Sequence, residues 1–284
     1  MPLHSHPIHF AAIDGYPLVG HFYPCVEARA IIVLASATGV PQGFYRRFAE
    51  YATAQNFAVV TFDYRGIGQS APASLKGFAM DYRDWARQDL QAVIQQMSLH
   101  GLPLCLVGHS YGGHALGLLD NHQLLSAAYV FGLGAGWHGW MPRAEGLKVQ
   151  FMWHLVAPVL TRLQGYLGWS LLGMGEDLPL GVYQQWKRWC AFPHYFFDDP
   201  AYPLLKQAFA TVKTPLKAVN AMDDKWAPPR SRDAFIQFYA GSSISCIDVA
   251  PAAIGCSQLG HMGYFRAHAQ TLWPDVFAYF NQHI

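Results

Sequence analysis

Gly108-His109-Ser110-Tyr111-Gly112 follows the apolar run Leu102 to Val107 and leads into the helix-prone stretch Gly113 to Leu119. A strand, a G-x-S-x-G pentapeptide and a helix in that order describe a nucleophile elbow, a turn so tight that the residues two before and two after the serine must lack bulk. The turn lifts the Ser110 hydroxyl clear of a sheet. It also aims the Tyr111 N–H and the positive end of the following helix at the point where an oxyanion would form. Glycine-rich turns produce the pentapeptide by chance, so the rest of the chain has to supply the remaining chemistry.

A serine hydroxyl is a poor nucleophile near neutral pH. It needs a base within hydrogen-bond reach and a carboxylate to orient that base. Downstream, Pro215 to Asn220 reads as a strand that runs into Ala221-Met222-Asp223-Asp224-Lys225-Trp226-Ala227-Pro228, so two carboxylates end it. Ser245 to Val249 reads as another strand, and the loop after it delivers Gly260-His261-Met262-Gly263-Tyr264-Phe265 ahead of the last helix.

With these residues in place the chain resembles the α/β-hydrolase superfamily over nearly its whole length. It is most similar to the serine-hydrolase branch of monoacylglycerol lipase-like and serine aminopeptidase-like proteins and to predicted bacterial α/β hydrolases of unknown substrate. Asp63-Tyr64-Arg65-Gly66-Ile67-Gly68-Gln69-Ser70 resembles the D-x-R-G-x-G-x-S loop after the fourth strand. The resemblance implies an α/β fold with a mostly parallel eight-stranded sheet, helices on both faces and a helical cap inserted after strand 6. It implies catalytic Ser110, Asp224 and His261, with Asp224 taken over Asp223 because it lies four residues before Pro228 in a D-x-x-x-P pattern. Aligning Gly43-Phe44-Tyr45 with the family's G-x-Y implies Thr38 as the backbone donor that completes the oxyanion hole with Tyr111. Here Ser36-Ala37 stands where His-Gly is usual. The donor is an amide, so the hole survives that change, and the Thr38 hydroxyl adds a contact the usual residue lacks.

A 284-residue chain with 52% hydrophobic and only 13% charged residues accommodates one such domain with a modest insertion and much apolar-lined surface. The net charge of +1 and the lack of like-charge runs argue against a nucleic-acid partner. A small-molecule acyl substrate is the partner implied, and the triad chemistry requires neither cofactor nor metal. Five cysteines, Cys25, Cys105, Cys190, Cys246 and Cys256, are odd in number and lack zinc-like or redox spacing. Cys105 and Cys246 fall in apolar strands, where a thiol reads as a small hydrophobe. Met1 to Phe10 has no apolar core of signal-peptide length, so a cytoplasmic setting is expected.

Strands are read at Ile8 to Ala12, Leu18 to Tyr23, Ala30 to Ala35, Phe57 to Phe62, Leu104 to Val107 and Ala127 to Phe131, with helices at Tyr45 to Gln55, Asp81 to Met97 and Tyr111 to Leu119. This alternation implies right-handed crossovers and a site at the carboxyl ends of the strands. It stops between Gly136 and about Val212, which sets residues 136–212 as the cap and residues 1–135 and 213–284 as the core. The cap holds Trp137, Trp140, Trp153, Trp169, Trp186 and Trp189, six of the nine tryptophans. Its apolar stretch from Phe151 to Gly175 is interrupted by Pro158, Arg162 and Gln164, and neither side of Arg162 reaches the ~20 residues a span requires. Cap helices over the active site are the reading adopted, with attachment to a membrane surface as the other.

His109 is read as packing beside the strand, His114 as structural, and Asp63 and Arg65 as holding their loop. His4, His6 and His9 are assigned no metal. Ester hydrolysis is the first reading because it demands least of the leaving group. Amide or peptide hydrolysis, acyl transfer and C–C hydrolysis use the same residues, and lyase or haloperoxidase-like chemistry and a non-catalytic binding role stay open.

Overall fold

The computed structural model describes residues 5–173 and 175–284. Its eight strands are β1 (His6–Ala11), β2 (Pro17–Tyr23), β3 (Ala30–Ala35), β4 (Phe57–Phe62), β5 (Leu104–His109), β6 (Leu125–Phe131), β7 (Leu216–Ala221) and β8 (Ile244–Val249). They form one sheet in the order β1-β2-β4-β3-β5-β6-β7-β8. The β1–β2 and β2–β4 pairs are antiparallel and all others parallel. Every residue of β3, β4 and β5 is buried. That is what uninterrupted Val, Ile, Leu and Phe runs require of central parallel strands covered on both faces.

The helices of the core are α1 (Arg46–Thr53), α2 (Gln91–Ser98), α3 (Tyr111–Ala115), α8 (Pro229–Ile236) and α9 (Trp273–Phe280). Phe48 of α1 meets Trp273 and Phe277 of α9 at 5.5 and 5.9 Å between ring centroids, closing one face of the sheet. Trp85, Ile94 and Tyr111 pack in the cluster on the other face. Between β6 and β7 lie α4 (Arg143–Phe151), α5 (Ala157–Gln164), α6 (Leu180–Trp189) and α7 (Leu205–Thr211). The apolar stretch from Phe151 is divided by Gly165, whose φ of 84° ends α5. Among the described residues no helix is long and apolar enough to cross a membrane.

Three local expectations change. The helix read over Asp81 to Met97 begins as a π-turn, Trp85–Leu90, before continuing as α2. The wider turn lets Trp85 and Asp89 both point inward to Arg65: the Trp85 indole donates to the Arg65 carbonyl at 2.9 Å, and Asp89 accepts from the Arg65 N–H at 2.9 Å. The helix read over Tyr111 to Leu119 tightens to a 3₁₀ turn at Leu116–Leu118. A Cβ on Gly117 would stand 2.4 Å from the Phe209 ring, so this turn is shaped by what packs on it. Cys246 is exposed rather than a buried hydrophobe, because β8 is an edge strand and five of its six residues face solvent. Cys105 is buried, and burial pushes its thiol up to about 12.

Candidate active site

Ser110 occupies the turn between β5 and α3 with φ 52° and ψ −107°, a strained conformation for a residue with a side chain. Its N–H is tied to the Phe131 carbonyl at 2.8 Å. A Cβ on Gly112 would lie 2.1 Å from the Ala35 carbonyl oxygen, and one on Gly108 would lie 2.8 Å from the Gly112 carbonyl carbon. The two glycines therefore let the elbow close against β3. Tyr111 opens α3, where backbone N–H groups have no partner within the helix.

His261 Nε2 lies 3.0 Å from Ser110 Oγ, and its Nδ1 lies 2.8 Å from Asp224 Oδ2. Asp224 is buried at the end of β7; its Oδ1 accepts from the Trp226 and Ala227 N–H groups at 2.9 Å, and the Tyr264 hydroxyl donates to Oδ2 at 3.2 Å. Burial alone would raise this carboxyl. The charge and hydrogen bond of His261, with the two amides, outweigh burial and hold it below the ordinary value. Asp223 turns the other way and accepts from the Leu259 and Gly260 N–H groups at 2.9 and 3.0 Å. One carboxylate meets the imidazole and the other fixes the loop that carries it.

Thr38 lies in the loop after β3, and among the described residues its N–H has no acceptor. Its hydroxyl is bonded to that of Tyr82. The Ala37 N–H donates to Tyr45 Oη at 2.8 Å, and Tyr45 Oη lies 3.0 Å from His109 Nδ1. His109 Nε2 lies 2.9 Å from the His261 carbonyl oxygen. Since a carbonyl only accepts, Nε2 carries a proton, and in the neutral ring that burial enforces the Tyr45 hydroxyl donates to Nδ1. Burial pushes its pKa down to about 3. A single chain of bonds thus ties the β3 loop, the elbow and the His261 loop together. Asp63 accepts from the Gln42 and Gln69 N–H groups, and Arg65 pairs with Asp14 and Asp89, so both hold their loop. His114 donates Nε2–H to the Gly134 carbonyl at 2.9 Å, and burial lowers its pKa to about 4. His6 and His9 lie on β1, and His4 lies outside the described residues.

Ser110, Thr38 and His261 line a cavity of about 510 Å³ with Trp169, Trp186 and Trp226. This is a volume suited to a small organic ligand. Trp169 and Trp186 come from the segment between β6 and β7, their ring centroids 5.6 Å apart, and Trp186 reaches Trp226 of the core at 6.0 Å. Trp153 and Trp189 are buried within the insertion. Sequence reasoning missed Tyr82, Tyr45 and Trp226. Of these, Tyr45 carried a signal as the tyrosine of the G-x-Y motif and Trp226 as the residue two after Asp224, whereas Tyr82 carried none.

A family model described as serine aminopeptidase, S33, matches residues 26–139, from just before β3 to just beyond β6, with the elbow inside. No curated protein sequence matches the chain. Among solved structures, a soluble variant of monoglyceride lipase from Saccharomyces cerevisiae superposes with a TM-score of 0.67 at 17% identity, covering 95% of this chain and 93% of that one. An esterase from Pyrococcus furiosus gives 0.66 at 11% identity over 99% and 91%. Est816, described as an N-acyl homoserine lactone degrading enzyme, gives 0.61 at 17% identity over 96% and 100%. At these identities the likeness is one of fold.

Proposed function

We infer that this chain, a member of the α/β-hydrolase superfamily, is a serine hydrolase that cleaves carboxylic esters through an acyl-enzyme. The observation that carries this reading is His261 bridging Ser110 Oγ at 3.0 Å and Asp224 at 2.8 Å on one imidazole. His261 Nε2 takes the Ser110 proton as the hydroxyl attacks an acyl carbonyl. Asp224 fixes the tautomer and stabilises the imidazolium, and the Thr38 and Tyr111 N–H groups receive the oxyanion. Collapse expels the alcohol, protonated by His261. Water then attacks the acyl-enzyme with His261 as base again.

Residues 136–212 act as a cap over this site, and their tryptophans favour an apolar acyl or aromatic group in the pocket. The fold neighbours that carry esterase and lipase names support the ester reading. The free cysteines fit a reducing, cytoplasmic setting. The test is covalent labelling of Ser110 by a fluorophosphonate together with turnover of p-nitrophenyl esters. Labelling and turnover that both vanish in Ser110→Ala, with the fold intact, are the expected result. Turnover at the wild-type rate in that variant would overturn the reading.

A further inference from the structure

The segment from Arg143 to Gln164 is one continuous helical rod: α4, a π-turn at Met152–Val156, and α5. Its buried side is Gly146, Val149, Met152, Trp153 and Ala157, with Trp153 packed on Trp169 and Trp186. Its outer side carries Leu147, Phe151, Leu155, Val159 and Leu163, each between 52% and 76% exposed. The spacing is four throughout. In an α-helix four residues overshoot one turn by about 40°, so such a row winds slowly round the rod. The π-turn in the middle takes more residues per turn and returns part of that drift, keeping the row on one side.

Five large apolar side chains in a row are costly to leave in water, and their flanks indicate what covers them. Lys148 and Arg162 are exposed beside the row, and Arg143 is exposed at its N-terminal end, four residues before Leu147. The rod's one acid, Glu145, is mostly shielded and lies 3.7 Å from Lys148. An apolar row edged by cations suits an anionic lipid surface. It does not suit a second copy of this chain, which would bring the same cations against each other. Size gives the same answer: a rod of about 33 Å presenting a strip roughly 10 Å wide offers on the order of 300 Å², against ~800 Å² per partner in a stable protein pair. A bilayer needs no complementary partner surface.

We propose that the Arg143–Gln164 rod lies in the interface of an anionic bilayer, with Leu147, Phe151, Leu155, Val159 and Leu163 below the headgroups and Arg143, Lys148 and Arg162 among them. The adsorbing face belongs to the segment that supplies Trp169 and Trp186 to the cavity, so docking sets that cavity close to the membrane. The proposal is independent of the reaction assigned to Ser110.

Flotation of the full chain with vesicles tests it. Vesicles of phosphatidylcholine with about 30% phosphatidylglycerol should bind the protein at low salt, pure phosphatidylcholine vesicles far less, and about 0.5 M salt should release most of it. Lys148→Gln with Arg162→Gln should cost roughly 25-fold in partitioning to the anionic vesicles, at about a factor of five per cation. Phe151→Glu with Leu155→Glu should cost at least as much and should abolish the residual binding to neutral vesicles. Melting temperature and turnover of a soluble short ester, unchanged in these variants, separate lost docking from lost folding. The wild-type dependence on lipid and salt needs no variant. Wild-type protein that floats with neither vesicle overturns the proposal, as does a dimer in solution that Phe151→Glu with Leu155→Glu converts to monomer.

Discussion

Tyr82 stacks its ring on that of Tyr111, with centroids 4.5 Å apart and 18° between the planes, and its carbonyl accepts the Tyr111 hydroxyl at 2.8 Å. Its own hydroxyl is bonded to Thr38. One fully buried side chain therefore braces both residues assigned to the oxyanion hole, and its N–H reaches into the insertion to Gln185 at 2.6 Å. Tyr82→Phe keeps the stacking and loses the brace. It should lower kcat by roughly threefold to tenfold with KM little changed, measured on a p-nitrophenyl ester. Tyr82→Ala should in addition cost about 3–5 kcal/mol of stability by denaturant titration.

The neighbouring acids make a sharper pair. Asp224→Asn leaves the shape but cannot stabilise the imidazolium, and should cost about 10³–10⁴-fold in kcat. Asp223→Asn keeps one acceptor for the Leu259 and Gly260 amides and should cost within about tenfold, with a lower melting temperature because the loop is less firmly held. Steady-state kinetics on the two purified variants decide it. Equal losses would mean that the loop anchor matters as much as the His261 partner.

Two buried histidines give a pH signature. His109 and His114 have folded pKa values of about 3 and about 4, against 6.5 for an unburied imidazole. Both shifts are downward, chiefly from burial, so the unfolded chain binds their protons first as pH falls. Their stabilising contribution is complete above about pH 6.5 and is lost toward pH 4, with a limiting slope of about 1.4 kcal/mol per pH unit for each. His114→Phe, which keeps an aromatic ring among Tyr195, Phe196 and Phe235, should remove one proton's worth of that slope. Unfolding free energies measured from pH 7 to pH 4.5 in both proteins check this. An unchanged slope would mean that His114 is already protonated in the fold.

The order Ser110, Asp224, His261 was legible because each residue type appears beside features that local rules can read: two glycines round the serine, a proline four residues after the acid, and glycines on both sides of the histidine. The central strands were legible because strands buried on both faces leave uninterrupted apolar runs. Tyr82 was not legible, since Asp81-Tyr82-Arg83 has no motif and its role arises only when β3, α3 and the insertion converge on it. The exposure of Cys246 was hidden for a similar reason. Ile-Ser-Cys-Ile-Asp-Val reads as a strand from its β-branched residues, but its place at the edge follows only from the sheet order. The outward row from Leu147 to Leu163 lay inside a stretch already recognised as apolar, but which side of the rod it occupied depended on the π-turn.

The size of the acyl group is the last consequence of the site. Trp169, Trp186 and Trp226 line the cavity that holds Ser110, so each methylene added to the acyl chain exchanges water for aromatic surface. If that contact persists in the transition state, each buried methylene contributes up to ~0.8 kcal/mol, or about fourfold in kcat/KM. Among acetyl, butyryl, hexanoyl and octanoyl p-nitrophenyl esters, kcat/KM should rise from acetyl to at least butyryl and level off when the cavity of about 510 Å³ is filled. Trp186→Ala removes the ring that links Trp169 to Trp226 and should flatten the rise more than it lowers the acetyl rate. A steady fall from acetyl onward would mean that the tryptophans pack against one another and leave the acyl group in a small or polar site.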